Sequence, residues 1–153
     1  MSDRSTSLLI VAPAGIRRSI VEQMVDGAGV KDVRIASNSE EARDLLEARL
    51  PAVVIVDWSL PNGDCEEVLR YLRGDRRPER LYLPIVTLNA ETYGSGPHLD
   101  RGFGVQASLP SPHSAQDLMV AIAKAIGHVP DMVHSEALLP WTANAEALRI
   151  RLH

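Results

Sequence analysis

Residues 53–65 read VVIVDWSLPNGDC. Four β-branched apolar residues run without a break into Asp57, and the turn Pro61-Asn62-Gly63-Asp64 follows. A strand with one wet face alternates apolar and polar residues. An unbroken apolar run closed by turn residues is instead the pattern of a strand covered on both sides.

Working outward, the same kind of run recurs. Leu8 to Ala12 (LLIVA) lies between Ser/Thr residues and Pro13, Val33 to Ala36 is a brief second run, and Leu83 to Leu88 is a fourth. Val105 to Leu109 is a weaker fifth. Between these runs the spacing changes to helical. Ile16, Ile20, Val21 and Met24 form one apolar stripe, closed by Gly27 and Gly29. Ala42, Leu45, Leu46 and Leu50 form another, behind the capping candidates Ser37-Asn38-Ser39-Glu40-Glu41. Val68, Leu69 and Leu72 mark a third helix ending near Gly74, and a polar loop, DRRPER, leads to the fourth strand. Ala115 to Ile126 is a clear amphipathic helix stopped by Gly127 and Pro130.

Strand and helix thus alternate five times, which predicts an α/β domain with a parallel sheet sandwiched between helices. The weak point is residues 90–104, AETYGSGPHLDRGFG. Gly94 and Gly96 each cost a helix interior about 1 kcal/mol and Pro97 about 3. The fourth helix is therefore expected to be short, to start near Pro97, or to be partly unwound.

Net charge is −4 and pI about 5.7, which argues against general attraction to nucleic acid or anionic membrane. A single cysteine, Cys65, rules out an intrachain disulfide, and no apolar run approaches the ~18 residues of a membrane span. The expectation is a cytoplasmic protein. Five histidines, at 98, 113, 128, 134 and 153, show no metal-ligand spacing.

This order of elements resembles the response-regulator receiver domain, the CheY-like fold of two-component signalling. DWSLPNGDC at 57–65 fits the family segment D-x-x-L-P-x-x-D-G, with Cys65 in place of glycine. LRYLRGD at 69–75 looks like the end of the third helix, and LPIVTLNA at 83–90 fits the fourth strand. SLPSP at 108–112 fits the fifth strand with its Pro112. The resemblance runs from Leu8 to Ile126 and implies a doubly wound, five-stranded parallel sheet of order 2-1-3-4-5.

It also implies where a phosphorylation pocket would sit. The family's phosphoacceptor aspartate corresponds to Asp57, its acidic pair to Ala12 and Pro13, its strand-four hydroxyl to Asn89 and its lysine to Ser111. With Ser59 these make a degenerate pocket in which Asp57 alone survives. Magnesium needs near-octahedral oxygen ligation and dehydrates reluctantly, so one carboxylate holds it poorly. Without metal or lysine, the charge on a transferring phosphoryl group goes unstabilised. Asn89 can still donate its amide to Asp57. The family's switch aromatic corresponds to Ser108.

The expected function is a stand-alone pseudo-receiver, not an enzyme. It would need no cofactor and would signal by contact with a histidine kinase, phosphotransferase, downstream effector or itself. One alternative keeps Asp57 as a phosphoacceptor in a phosphorelay. Another is a sensor of a small anion or cyclic dinucleotide, suggested by the arginines at 70, 73, 76, 77 and 80. Basic residues at a helix end are more often solvated surface. Cys65 is expected to be an inert thiol and Asp64 a turn residue.

The domain is expected to span residues 1–127, with 128–153 a docking or dimerisation extension. Leu138, Leu139 and Trp141 there are candidate partner-binding residues together with Ser108. Thr142 offers an N-cap for a short helix, the preferred reading. Leu148, Ile150 and Leu152 alternate with Arg149, Arg151 and His153, which is strand spacing.

Overall fold

The computed structural model describes residues 7–74, 78–110 and 113–127. The strands are β1 (Leu8–Val11), β2 (Val33–Ala36), β3 (Val53–Asp57), β4 (Ile85–Leu88) and β5 (Ala107–Leu109). The helices are α1 (Ile16–Gly27), α2 (Ser39–Ala48), α3 (Asp64–Gly74), α4 (Pro78–Leu81), α5 (Gly96–Gly102) and α6 (Ala115–Ile126). All neighbouring strands are parallel, in the order β2-β1-β3-β4-β5. No helix among the described residues is long and apolar enough to cross a membrane.

Successive side chains on a strand point to opposite faces, so the apolar runs supply two cores at once. Leu8, Ile10, Val53 and Ile55 pack with Val21, Val25, Leu118 and Ile122, under α1 and α6. Leu9, Val11, Val54 and Val56 pack with Leu46, Val68, Leu69 and Leu72, under α2 and α3. Burying each such side chain is worth about 1.5–3 kcal/mol.

The helix starts are built as side-chain chemistry dictates. Asn38 caps α2 by accepting from the Glu41 N–H at 2.8 Å, while Glu41 accepts from the Ser37 N–H at 2.7 Å. Ser114 and Asp117 form a reciprocal capping box on α6, a pairing that the sequence reading passed over.

Two expectations are corrected. The loop read as DRRPER contains a four-residue helix, α4. Arg73 of α3 donates to the Arg80 carbonyl at 3.0 Å, and the Arg80 guanidinium pairs with Glu47 and lies 4.5 Å from the centre of the Tyr71 ring. The fourth and fifth strands are also shorter than the apolar runs that announce them. The weak fourth helix is as expected: a 3-10 turn at Ala90–Thr92, then α5 of seven residues. The boundary at 127 and the residues Ser111, Leu138, Leu139 and Trp141 touch or lie in the chain outside the described residues.

Candidate functional site

The C-terminal ends of β1, β3 and β4 meet at one end of the sheet, where a parallel sheet collects its loops. Asp57 closes β3 opposite Leu88 of β4, and the Trp58 N–H donates to the Leu88 carbonyl at 2.9 Å. Asp57 is only 3% exposed. A buried carboxylate needs donors. Oδ1 of Asp57 takes two, the Ser59 N–H at 2.8 Å and Nδ2 of Asn89 at 3.0 Å. Among the described residues Oδ2 accepts no hydrogen bond.

Asn89 is held for that task by its backbone. Its N–H donates to the Leu109 carbonyl at 2.8 Å, and its φ of 64° is left-handed, a region that asparagine tolerates better than most side chains. Its own Oδ1 is buried and has no partner among the described residues.

Ala12 is buried and Pro13 half-buried at the end of β1. Instead of carboxylates, this corner holds Arg18, whose guanidinium donates to the Ala12 carbonyl at 3.3 Å and to Ser37 Oγ at 2.8 Å. The cavity beside Asp57, about 110 Å³, is walled by Ile20, Val21, Met24 and Leu88, with Asn89, Arg17 and His113 completing it. These residues do not fit the magnesium ion that a receiver pocket implies. Among the described lining residues Asp57 is the one carboxylate, set against an apolar wall with an arginine on it, which is the wrong charge and too few oxygens. Ser59 is exposed and contributes its backbone N–H.

The structure therefore brings Asp57, Ser59 and Asn89 together and sets Ala12 and Pro13 at the end of the strand beside them. Ser108 instead meets Thr87, at 3.2 Å between the two hydroxyls. The described arginines of the suggested anion site are engaged within the fold: exposed Arg70 pairs with Glu66, Arg73 donates to the carbonyls of Phe103, Arg80 and Gly104, and buried Arg80 pairs with Glu47. Asp64 does more than turn the chain. It opens α3 and accepts from the Ser39 N–H at 3.0 Å, beside a bond from Ser39 Oγ to Glu67 at 2.8 Å.

Sequence reasoning missed a buried polar group next door. Asp100 of α5 accepts from Trp58 Nε1 and from Thr87 Oγ1, each at 2.8 Å. A threonine within an otherwise apolar strand was the one available signal. Cys65 lies close to both carboxylates. Burial first, then Asp100, Asp57 and Glu66, push its thiol far above the ordinary range, so it is not a reactive thiolate.

No family model matches the chain. Response regulator Rre1 of Synechocystis sp. is 37% identical over 90 residues, covering 59% of this chain and 38% of its own. The chain thus spans well under half the length of that relative. The polar-differentiation response regulator DivK of Brucella anthropi is 23% identical over 121 residues, 79% of this chain and 96% of DivK. Among solved structures, one assigned as a response regulator from Chloroflexus aurantiacus is 28% identical, with a TM-score of 0.71 over 80% of this chain and 98% of that one. The chain has the CheY-like receiver fold, and the relatives and structural neighbours that it matches are response regulators and receiver domains.

Proposed function

We propose that this receiver signals through protein contacts, as a cytoplasmic module, without magnesium-dependent phosphorylation of Asp57. One observation carries the reading: the space beside Asp57 is walled by Ile20, Val21 and Met24 and edged by Arg17, where the chemistry of phosphoryl transfer requires oxygen ligands for a metal. Asp57 then works as a fixed acceptor that holds the Ser59 and Asn89 donors in place. The partner is a histidine kinase, a phosphotransferase, a downstream effector or a second copy of the chain, the last engaged through residues 128–153.

The test is incubation with a small phosphodonor and millimolar magnesium, read by intact mass. No phosphoryl adduct is expected. The Asp57→Asn variant should fold normally and keep its partner binding, because an amide of equal size still accepts from Ser59 and Asn89. An adduct on the wild type that is absent from Asp57→Asn would overturn the reading.

A second reading, phosphoacceptor in a phosphorelay, draws on a different observation. Both hydrogen bonds fall on Oδ1, and Asp57 lines the cavity, so its second oxygen is left to react. Loss of signalling by well-folded Asp57→Asn in cells would favour it.

A further inference from the structure

Asp100 is a carboxylate only 6% exposed, on a helix of seven residues that includes two glycines and a proline. So short a helix has little stability of its own, and what holds it to the sheet decides where it sits. Trp58 Nε1 donates to Asp100 Oδ1 at 2.8 Å, and Thr87 Oγ1 donates to Oδ2 at 2.8 Å. A hydroxyl has one proton, which Thr87 commits to the carboxylate. The contact between Thr87 Oγ1 and Ser108 Oγ, 3.2 Å, therefore runs the other way, with Ser108 donating.

The result is a single chain of donors, Ser108 to Thr87 to Asp100, met from the far side by Trp58. It begins on an exposed residue of β5 and ends on the residue that follows Asp57. Its interior is dry, since Thr87 is 0% and Trp58 2% exposed. Trp58 also stacks on Tyr93, ring centres 4.9 Å apart, in the segment leading to α5.

We propose that Asp100 is a positioning residue that couples the exposed face of β5 to the Asp57 loop, through the bonded chain Ser108–Thr87–Asp100–Trp58. A buried carboxylate is satisfied only while its donors are in place, so the arrangement favours two discrete states over gradual drift. With the chain closed, α5 is docked and Trp58 is fixed. When a partner draws Ser108 and β5 away, Asp100 loses its hold on Thr87, and α5 and Trp58 loosen together. This coupling goes beyond the reading of Asp57 above and holds whether or not that residue takes a phosphoryl group.

The test uses the full chain with Ser108→Ala, Trp58→Phe and the double variant, followed by hydrogen exchange of residues 96–102. Among the described residues no hydrogen bond joins Ser108 to Trp58 directly, so independent effects would multiply. Each single change should speed exchange there about fivefold, the effect of one lost hydrogen bond. The double variant should fall short of the product of the two by about threefold or more. In Ser108→Ala, acrylamide quenching of Trp58 should also rise, although the two side chains do not touch. A double variant equal to the product, exchange that is unchanged in either single, or a uniform rise across β1, β3 and α1 overturns the coupling. Asp100→Asn is the further check: it should raise exchange in 96–102 and leave the Ser108→Ala change with little additional effect.

Discussion

Nδ2 of Asn89 donates to Oδ1 of Asp57 across 3.0 Å, and it does so from a left-handed backbone, φ 64°. The two facts separate by mutation. Asn89→Ala removes the bond and keeps a Cβ in a region that disfavours one, whereas Asn89→Gly removes the bond and relieves the backbone. A hydrogen bond to a charged group contributes about 1.5–3 kcal/mol. A Cβ in the left-handed region costs about 1–2 kcal/mol. Urea melts should therefore rank wild type above Asn89→Gly above Asn89→Ala, the last two about 1 kcal/mol apart. Equal midpoints for the two variants would show that the backbone is not under this constraint.

Gly96 is fixed by a different contact. A Cβ built there would lie 2.4 Å from the Ala90 carbonyl oxygen, a backbone atom that cannot swing aside. Gly96→Ala should cost about 1–3 kcal/mol, the range of overpacking in tight cores. The loss should appear first as faster exchange in residues 96–102, because the clash sits where α5 begins. A melting temperature equal to wild type would mean that the two segments part more easily than their packing implies.

The two glycines and the proline of residues 94–97 were legible as helix breakers, and the short α5 is their consequence. Asp57, Asn89, Ala12 and Pro13 were named as pocket positions through the resemblance to the receiver family, whose motifs fall in register with the ends of the apolar runs; the structure sets these four residues at the ends of β1, β3 and β4. Asp100 was not named. It sits on a helix too short to show a period, and its partners Trp58 and Thr87 come from 42 and 13 residues away in the chain. A polar pair across that distance leaves no pattern in a local window. The α4 turn was hidden for a related reason, since the Arg80 contacts that hold it come from Glu47, Tyr71 and Arg73 on other helices.

Cys65 makes stability depend on pH at the alkaline end. Its ordinary value is 9.0, and in the fold burial raises it, with Asp100, Asp57 and Glu66 adding to the effect. The unfolded thiol loses its proton first, so between the two values the folded state binds more protons and stability falls as pH rises. Below the unfolded value both states hold the proton and Cys65 contributes no slope. Above about pH 9 the wild type should lose about 1.4 kcal/mol per pH unit through this thiol. Cys65→Ala should be flatter over that window even though its neutral-pH stability is lower. Parallel curves for the two proteins would show that the thiol is not shielded.

The residues after Gly127 carry Leu138, Leu139, Trp141, Leu148, Ile150 and Leu152. Leaving them in water would forfeit about 1.5–3 kcal/mol per large side chain. Each of the two cores already has its helices: α1 and α6 on one face of the sheet, α2 and α3 on the other. In the docking role proposed for residues 128–153, these apolar side chains would cover either the domain's outer surface or a second chain. The two cases differ in what truncation at residue 127 does. If the extension covers its own domain, the truncated protein stays at the same mass in light scattering and melts at a lower temperature. If it joins two copies, the full chain scatters as a dimer whose melting point rises with concentration, and truncation returns a monomer. Either result gives the extension a docking role. Identical mass and identical melting temperature before and after truncation would overturn it.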